Sequence, residues 1–276
     1  MTNSTASYAV FGNPIEHSKS PDIHHRFAEQ TKQVMTYQKR LINIDAFEVS
    51  AQEFFNAGGS GLNITVPFKL AAYHFAEQLT ARAKIAGAVN TLVKKNGLIV
   101  GDNTDGSGLL TDISINLGWP LAHEDILILG AGGAVRGILE PLLAVKPLSI
   151  TIANRTFEKA QTLAEQFKHL AGPTSLNCVS YAQLKNQYKV IINGTSASLV
   201  GEAPAVKPSV YNKAFCYDMM YSKEATTFLQ QANHFGAQAT ADGLGMLVEQ
   251  AAESFYVWRQ CRPKTASVIA SIRAAM

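Results

Sequence analysis

Short β-prone apolar runs alternate with longer stretches of helical periodicity along nearly the whole chain. No other feature restricts the fold as strongly, because strand–helix–strand repetition builds α/β domains with largely parallel sheets. Residues 8–11 read as a strand, 21–33 as a helix, 36–42 as a strand, 46–56 as a helix and 61–66 as a third strand. Two further runs, 88–95 and 98–102, flank Asn96-Gly97. That pair suits a type I′ turn, whose two central positions need positive φ, so a hairpin is expected there. Beyond residue 105 the pattern becomes more regular, with strands at 125–129, 148–153, 189–193, 215–219 and 238–240. Helices are expected from the glycine turn at 130–133 to about 144, over 156–170, and as a pair within 246–276 interrupted near Arg262-Pro263.

At 276 residues, the chain is long enough for two domains of about 150 residues each. The pattern places a boundary near residue 105. With 47% hydrophobic and 16% charged residues, the composition supports packed cores and excludes a disordered chain. A net charge of +3 with no block of Lys or Arg argues against a nucleic-acid or anionic-membrane surface. The chain lacks an apolar run of membrane-spanning length, and its start, MTNSTASYAVFG, lacks the basic and apolar regions of a secretory signal. Cys178, Cys216 and Cys261 are far apart and odd in number, which points to reduced thiols in a cytoplasmic protein rather than a disulfide framework or zinc site. No metal site is expected. His24 and His25 are adjacent on a predicted helix, one packed and one exposed, and no His-Glu-x-x-His occurs.

The stretch Ile126-Leu-Ile-Leu-Gly130-Ala131-Gly132-Gly133-Ala134 reads as strand, tight turn and helix start. Small residues there let the backbone approach a pyrophosphate, which meets free N–H groups and the helix dipole. An ordinary strand–helix turn remains the alternative, since the sixth position of the Rossmann fingerprint is Val135 instead of Gly or Ala. The next strand ends in Ala153-Asn154-Arg155-Thr156, without the carboxylate that holds an NAD ribose. Arg155 suits the extra phosphate of NADP through its planar fork, with Asn154 and Thr156 adding neutral hydrogen bonds. Thr156 also reads as the N-cap of the following helix.

Polar groups recur at strand ends and helix starts in the first third: Ser18-Lys19-Ser20-Pro21, Asn63 to Lys69, Asn90-Thr91 and Asn103-Thr104-Asp105-Gly106. Each has a plain structural explanation. Ser20 before Pro21 reads as an N-cap, Lys69 as a surface lysine and Asn103–Gly106 as a turn. Together they fit a substrate site facing a dinucleotide domain.

These segments, with Gly87-Ala-Val-Asn90-Thr and Asp242-Gly-x-Gly-Met-Leu-x-x-Gln250, occur in the order found in shikimate dehydrogenases, and the resemblance spans residues 8–260. It implies an oxidoreductase of the shikimate pathway that reduces 3-dehydroshikimate to shikimate with NADPH during aromatic amino-acid biosynthesis. It implies a substrate-binding domain of residues 1–105 plus 242–276, a Rossmann-type NADP-binding domain of 106–241, and a cleft between them. Lys69 and Asp105 would be the catalytic pair. Ser18 and Ser20 would hold the substrate carboxylate, and Asn63, Thr65, Asn90, Tyr221 and Gln250 would line its ring. Gly130, Ala131, Gly132, Gly133 and Ala134 would receive the pyrophosphate, and Asn154, Arg155, Thr156 and Lys159 the 2′-phosphate side. Met219 and Gly243 would approach the nicotinamide. Many members carry Glu two residues after the leucine matching Leu79; this chain has Ala81, so no contact carries over from that position. The expected partner is a small molecule, and the expected assembly a monomer or homodimer. Three alternatives share much of this pattern: an NAD-preferring quinate/shikimate dehydrogenase, a non-catalytic NADP-binding sensor, and a folate-pathway dehydrogenase. Lys69 and Asp105 weigh against the sensor, and the Ser-Lys-Ser-Pro segment has no role in the folate enzyme.

Overall fold

The computed structural model describes residues 5–185, 187–195 and 197–276, so the first four residues of the N-terminal stretch read above lie outside it. Two compact units emerge. One comprises Met1–Gly108 with Val248–Ala275, and the other Leu109–Leu247 with Met276.

The first unit runs β1 (Ala6–Gly12), α1 (Ser20–Thr31), β2 (Met35–Leu41), α2 (Phe47–Asn56), β3 (Gly59–Ile64), α3 (Lys69–Phe75), β4 (Gln78–Leu79), α4 (Ala81–Ala86), β5 (Thr91–Lys95) and β6 (Leu98–Asp102). Its sheet has the order β2-β1-β3-β5-β6-β4. β1 pairs in parallel with β2 and β3, while β3–β5 and β5–β6 are antiparallel. The expected hairpin joins β5 to β6, and Asn96 and Gly97 have φ of 53° and 83°. Alternation along β1 sorts its side chains between two faces. Ala9 and Phe11 join Leu62, Ile64 and the α2 residues Phe47, Ala51, Phe54 and Phe55 on one face. Tyr8 and Val10 turn the other way, with Tyr37 and Trp258.

From the first unit the chain passes through α5 (Asp105–Thr111) and a π-helical turn, Asp112–Asn116. The second unit then contains β7 (Asp125–Leu129), α6 (Gly133–Ala144), β8 (Ser149–Ala153), α7 (Phe157–Phe167), β9 (Ser175–Val179), β10 (Val190–Asn193), β11 (Phe215–Asp218), α8 (Thr227–His234) and β12 (Ala239–Asp242). α9 (Leu244–Arg259) begins in this unit and continues into the first, followed there by α10 (Ala266–Ala274). The second sheet is wholly parallel in the order β12-β11-β10-β7-β8-β9, the doubly wound arrangement whose direction reverses between β7 and β10. Ile126, Leu127, Ile128 and Leu129 are all 0% exposed, as a parallel strand covered on both faces requires.

Trp258 on α9 fixes a detail of the first unit. Its ring stacks on Tyr8 with centroids 4.6 Å apart, and its Nε1–H donates to the Leu92 carbonyl at 3.0 Å. A Cβ at Gly61 would lie 2.5 Å from Trp258 Nε1, so only glycine lets the indole reach the strand.

Candidate active site

Lys69 opens α3 directly after the loop that leaves β3, and Asp105 opens α5 directly after β6. Antiparallel pairing of β3 with β5 and of β5 with β6 brings these strand ends together. Lys69 Nζ lies 2.5 Å from Asp105 Oδ2. The other carboxylate oxygen, Oδ1, accepts from Asn90 Nδ2 at 2.8 Å. Hydrogen bonds to charged groups contribute about 1.5–3 kcal/mol, so the Asn90 amide is a strong constraint on the carboxylate plane. Asn90 is constrained in turn. Its Oδ1 accepts from Thr104 N–H and from the Thr91 hydroxyl, each at 2.9 Å, and its Nδ2 lies 3.3 Å from Gln250 Oε1. Lys69, Asp105, Asn90 and Gln250 therefore form one connected group.

Asn63 joins the same network. Its Nδ2 donates to Ser254 Oγ at 3.1 Å, and the Ser254 hydroxyl meets Thr91 Oγ1 at 2.7 Å. Its Oδ1 accepts from Tyr37 O–H at 2.8 Å. Burial pushes the Tyr37 phenol well above its ordinary pKa, opposed by the nearby Ser20 side chain. Ser18 is half-buried, with its hydroxyl 3.4 Å from Ser20 N. Thr65 stands at the end of β3, its methyl 2.5 Å from where a Cβ on Gly12 would sit.

One cap expectation needs correction, and another holds in position without its side-chain bond. The α1 N-cap is Lys19, not Ser20, because the Lys19 carbonyl accepts the first helical bond from Ile23 N; Ser20 is already inside the helix. Thr156 occupies the N-cap position of α7, but its hydroxyl makes no cap bond; Asn154 Nδ2 instead donates to the Thr156 carbonyl at 2.8 Å. The Asn103–Asp105 segment is a turn as well as a site: Asn103 Oδ1 accepts from Asp105 N at 3.1 Å. Tyr37 and Ser254 received no role from the sequence, and Thr91 and Thr104 none beyond membership of the polar segments. Ser254 follows Gln250 by four residues on α9, a spacing that places both on one helix face.

In the second unit, the glycine turn divides by function. Gly130 has φ of +110°, and a Cβ there would press on Gly194 at 3.1 Å, so the fold itself requires this glycine. Gly132 and Gly133 face open space: a Cβ at either would meet nothing within 4 Å. The protein has no packing use for their smallness, whereas a ligand approaching the backbone does. Val135 departs from the fingerprint because the close packing is supplied from the facing strand end; its Cγ2 would lie 2.4 Å from a Cβ on Gly194. Beside the turn is a cavity of about 330 Å³ lined by Ala131, Gly132, Gly133, Arg136, Lys159 and Gln166, among others. Lys159 was expected there and Arg136 was not. Arg155 is exposed and lies beside the Tyr181 phenol. These residues fit a dinucleotide carrying an additional phosphate. A second depression of about 440 Å³, at the opposite end of the sheet, is lined by both acids and lysines, Glu124, Asp125, Lys189 and Lys213 among them, and holds none of the expected residues.

Met219 and Gly243 lie against each other: a Cβ on Gly243 would sit 2.3 Å from the Met219 carbonyl oxygen. Asp218, unforeseen, secures this loop. Its carboxylate accepts from Asn193 Nδ2, Ser198 Oγ, Thr226 Oγ1 and Met220 N at 2.6–3.1 Å. Tyr221 belongs to the second unit, while the other expected substrate residues belong to the first. Burial raises its phenol, helped by the charge of nearby Asp242. Among the described residues there is no cluster suited to a metal ion, and no helix is long and apolar enough to cross a membrane.

Comparison with known proteins gives three successive family matches. Residues 10–92 match the shikimate dehydrogenase substrate binding domain, 114–216 the shikimate / quinate 5-dehydrogenase family, and 243–273 the shikimate 5′-dehydrogenase C-terminal domain. Shikimate dehydrogenase (NADP(+)) from Cellvibrio japonicus is 54% identical over 272 residues, 98% of this chain and 97% of that protein. Among solved structures, an Ael1 enzyme from Pseudomonas putida superposes with a TM-score of 0.92 at 43% identity, covering 97% of this chain and 98% of that one. Shikimate 5-dehydrogenase from Thermus thermophilus, solved with NADP(H) and shikimate, superposes with a TM-score of 0.87 at 28% identity, covering 99% and 100%.

Proposed function

Because the chain belongs to the shikimate dehydrogenase family, we propose that it catalyses the reversible NADPH-dependent reduction of 3-dehydroshikimate to shikimate, a step of aromatic amino-acid biosynthesis. The observation that carries this reading is the Lys69–Asp105 pair, tied through Asn90 to Gln250. NADPH supplies the hydride when bound. Delivery of hydride to a ketone carbon leaves charge on its oxygen, and an ammonium beside that oxygen both stabilises and protonates it. Lys69 is that donor. Asp105 keeps the ammonium aimed, and its own position is set by Asn90. In the reverse direction the same lysine accepts the hydroxyl proton.

Ser18 and Ser20 hold the substrate carboxylate, offering hydroxyl donors without burying a second cation. Asn63, Thr65, Asn90 and Gln250 receive the ring hydroxyls, together with Tyr221. Gly132 and Gly133 leave room for the pyrophosphate, and Arg155, Lys159, Asn154 and Thr156 favour the 2′-phosphate of NADP. Three free cysteines and the biosynthetic role of the relatives support a cytoplasmic location. The deciding assay follows absorbance as NADP is reduced with shikimate as the only other substrate, then repeats it with NAD and with quinate. Turnover with shikimate and NADP is expected to exceed the other combinations by at least tenfold; a preference for NAD with quinate overturns the assignment.

A further inference from the structure

Arg82 lies outside every expected site, yet it grips the segment that carries Asp105 from both sides. Its Nε and Nη2 hold the two oxygens of Asp102, each at 2.6 Å. Its Nη1 donates to Ser107 Oγ at 2.9 Å and to Glu253 Oε1 at 3.0 Å. Asp102 precedes Asp105 by three residues and Ser107 follows it by two. Glu253 follows Gln250 by three residues on α9, one helical turn away. A single guanidinium thus ties α4, the β6–α5 connection and α9 together.

The grip is specific in its geometry. The side chain of Asp102 is 5% exposed and that of Arg82 28%. Burial pushes the Asp102 carboxyl up, but the Arg82 guanidinium outweighs this and holds it below its ordinary value, so the pair stays ionised. Asp102 Oδ1 also accepts from Thr80 Oγ1 at 2.6 Å and from Asn103 N at 2.8 Å, which carries the constraint into the next residue. Asn103 in turn accepts from Asp105 N. On the other side, the second oxygen of Glu253 is held by Arg262 at 2.8 Å. Ammonium cannot reproduce this: lysine has one nitrogen and cannot span Asp102, Ser107 and Glu253.

We infer that Arg82 is a positioning residue for the reaction, setting the placement of Asp105 and Gln250 through Asp102, Ser107 and Glu253. The inference rests on the assignment of Lys69 and Asp105 proposed above. It predicts a defect in the chemical step that is separable from folding, because the fork holds side chains on both sides of Asp105 and no cofactor-binding residue.

The test compares Arg82→Lys, Ser107→Ala and Lys69→Ala in steady-state shikimate oxidation, with kcat profiles from pH 6 to 10 and melting curves. Arg82→Lys is expected to lower kcat by at least tenfold and displace the pH profile, with KM for NADP within twofold of the parent. Ser107→Ala keeps the Arg82–Asp102 pair, and its kcat is expected to fall about threefold at unchanged melting temperature. A folded Arg82→Lys enzyme with parental kcat and pH profile overturns the inference. If Arg82→Lys does not fold, parental kcat in Ser107→Ala overturns it equally. Near-normal turnover in Lys69→Ala refutes the underlying assignment instead, so the two failures are told apart.

Discussion

His24 makes the first unit sensitive to acid in a way that can be calculated. Its ring is 0% exposed, stacks on Tyr37 with centroids 4.3 Å apart, and also abuts Trp258 and Phe27. Neither ring nitrogen makes a hydrogen bond. Burial pushes its pKa from 6.5 down to about 3, outweighing the opposing influence of the Asn63 side chain. The imidazole is therefore neutral in the folded protein at any pH above that value, while the unfolded chain takes up a proton below 6.5. Stability is complete above the unfolded value and is lost as pH falls toward 3. At pH 5 the unfolded side chain is about thirtyfold more protonated than neutral, so the loss is about 2 kcal/mol. The perturbation is His24→Phe, which keeps an aromatic ring against Tyr37 and removes the titration. With only two tryptophans in the chain, a Trp119→Phe background leaves Trp258 fluorescence to report on the first unit alone. Urea unfolding at pH 7.5 and pH 5 is expected to show the parent losing about 2 kcal/mol more than the His24→Phe protein. Equal losses in the two proteins would refute the reasoning, for the imidazole would then take up its proton without unfolding.

Other outcomes are equally accessible. Lys69→Ala is expected to lower kcat by about 10²- to 10⁴-fold with little change in KM for shikimate, measured by steady-state kinetics. Gly132→Val is expected to fold normally, since a Cβ there meets nothing, but to weaken NADP binding at least tenfold by calorimetric titration. Arg155→Asp is expected to cut the ratio of kcat/KM with NADP to that with NAD by about tenfold to a hundredfold, from the loss of one charged hydrogen bond. Joint replacement Ser18→Ala and Ser20→Ala is expected to raise KM for shikimate while leaving KM for NADP unaltered; unchanged KM for shikimate removes both serines from substrate binding.

Local chemistry made much of this legible in advance. Asn96-Gly97 announced its hairpin because that turn needs two positive φ values, and the β7 turn announced itself through Gly130. Strand β9 escaped notice because Ser175 and Asn177 on it are exposed and leave only a weak apolar pattern. The cap at α1 was misplaced by one residue since Ser-Pro sequences fit either register. Tyr37 and Ser254 lie 26 and 191 residues from Asn63, and nothing local links a mid-strand tyrosine or a helical serine to that amide. Val135 looked like a defect in the glycine fingerprint until Gly194, on another strand end, supplied the missing space. Whatever depends on pairing distant segments had to come from the fold.

Helix α9 also dictates an order of assembly. The indole that fills the groove above Gly61 is made long after the strands it covers. Residues 109–247 emerge from the ribosome as one uninterrupted stretch, so the later-encoded unit is the first able to reach its native form. Nascent β1, β2 and β3 must wait, one greasy face uncovered, for their closing helices, and it is over this interval that a chaperone has the most to protect.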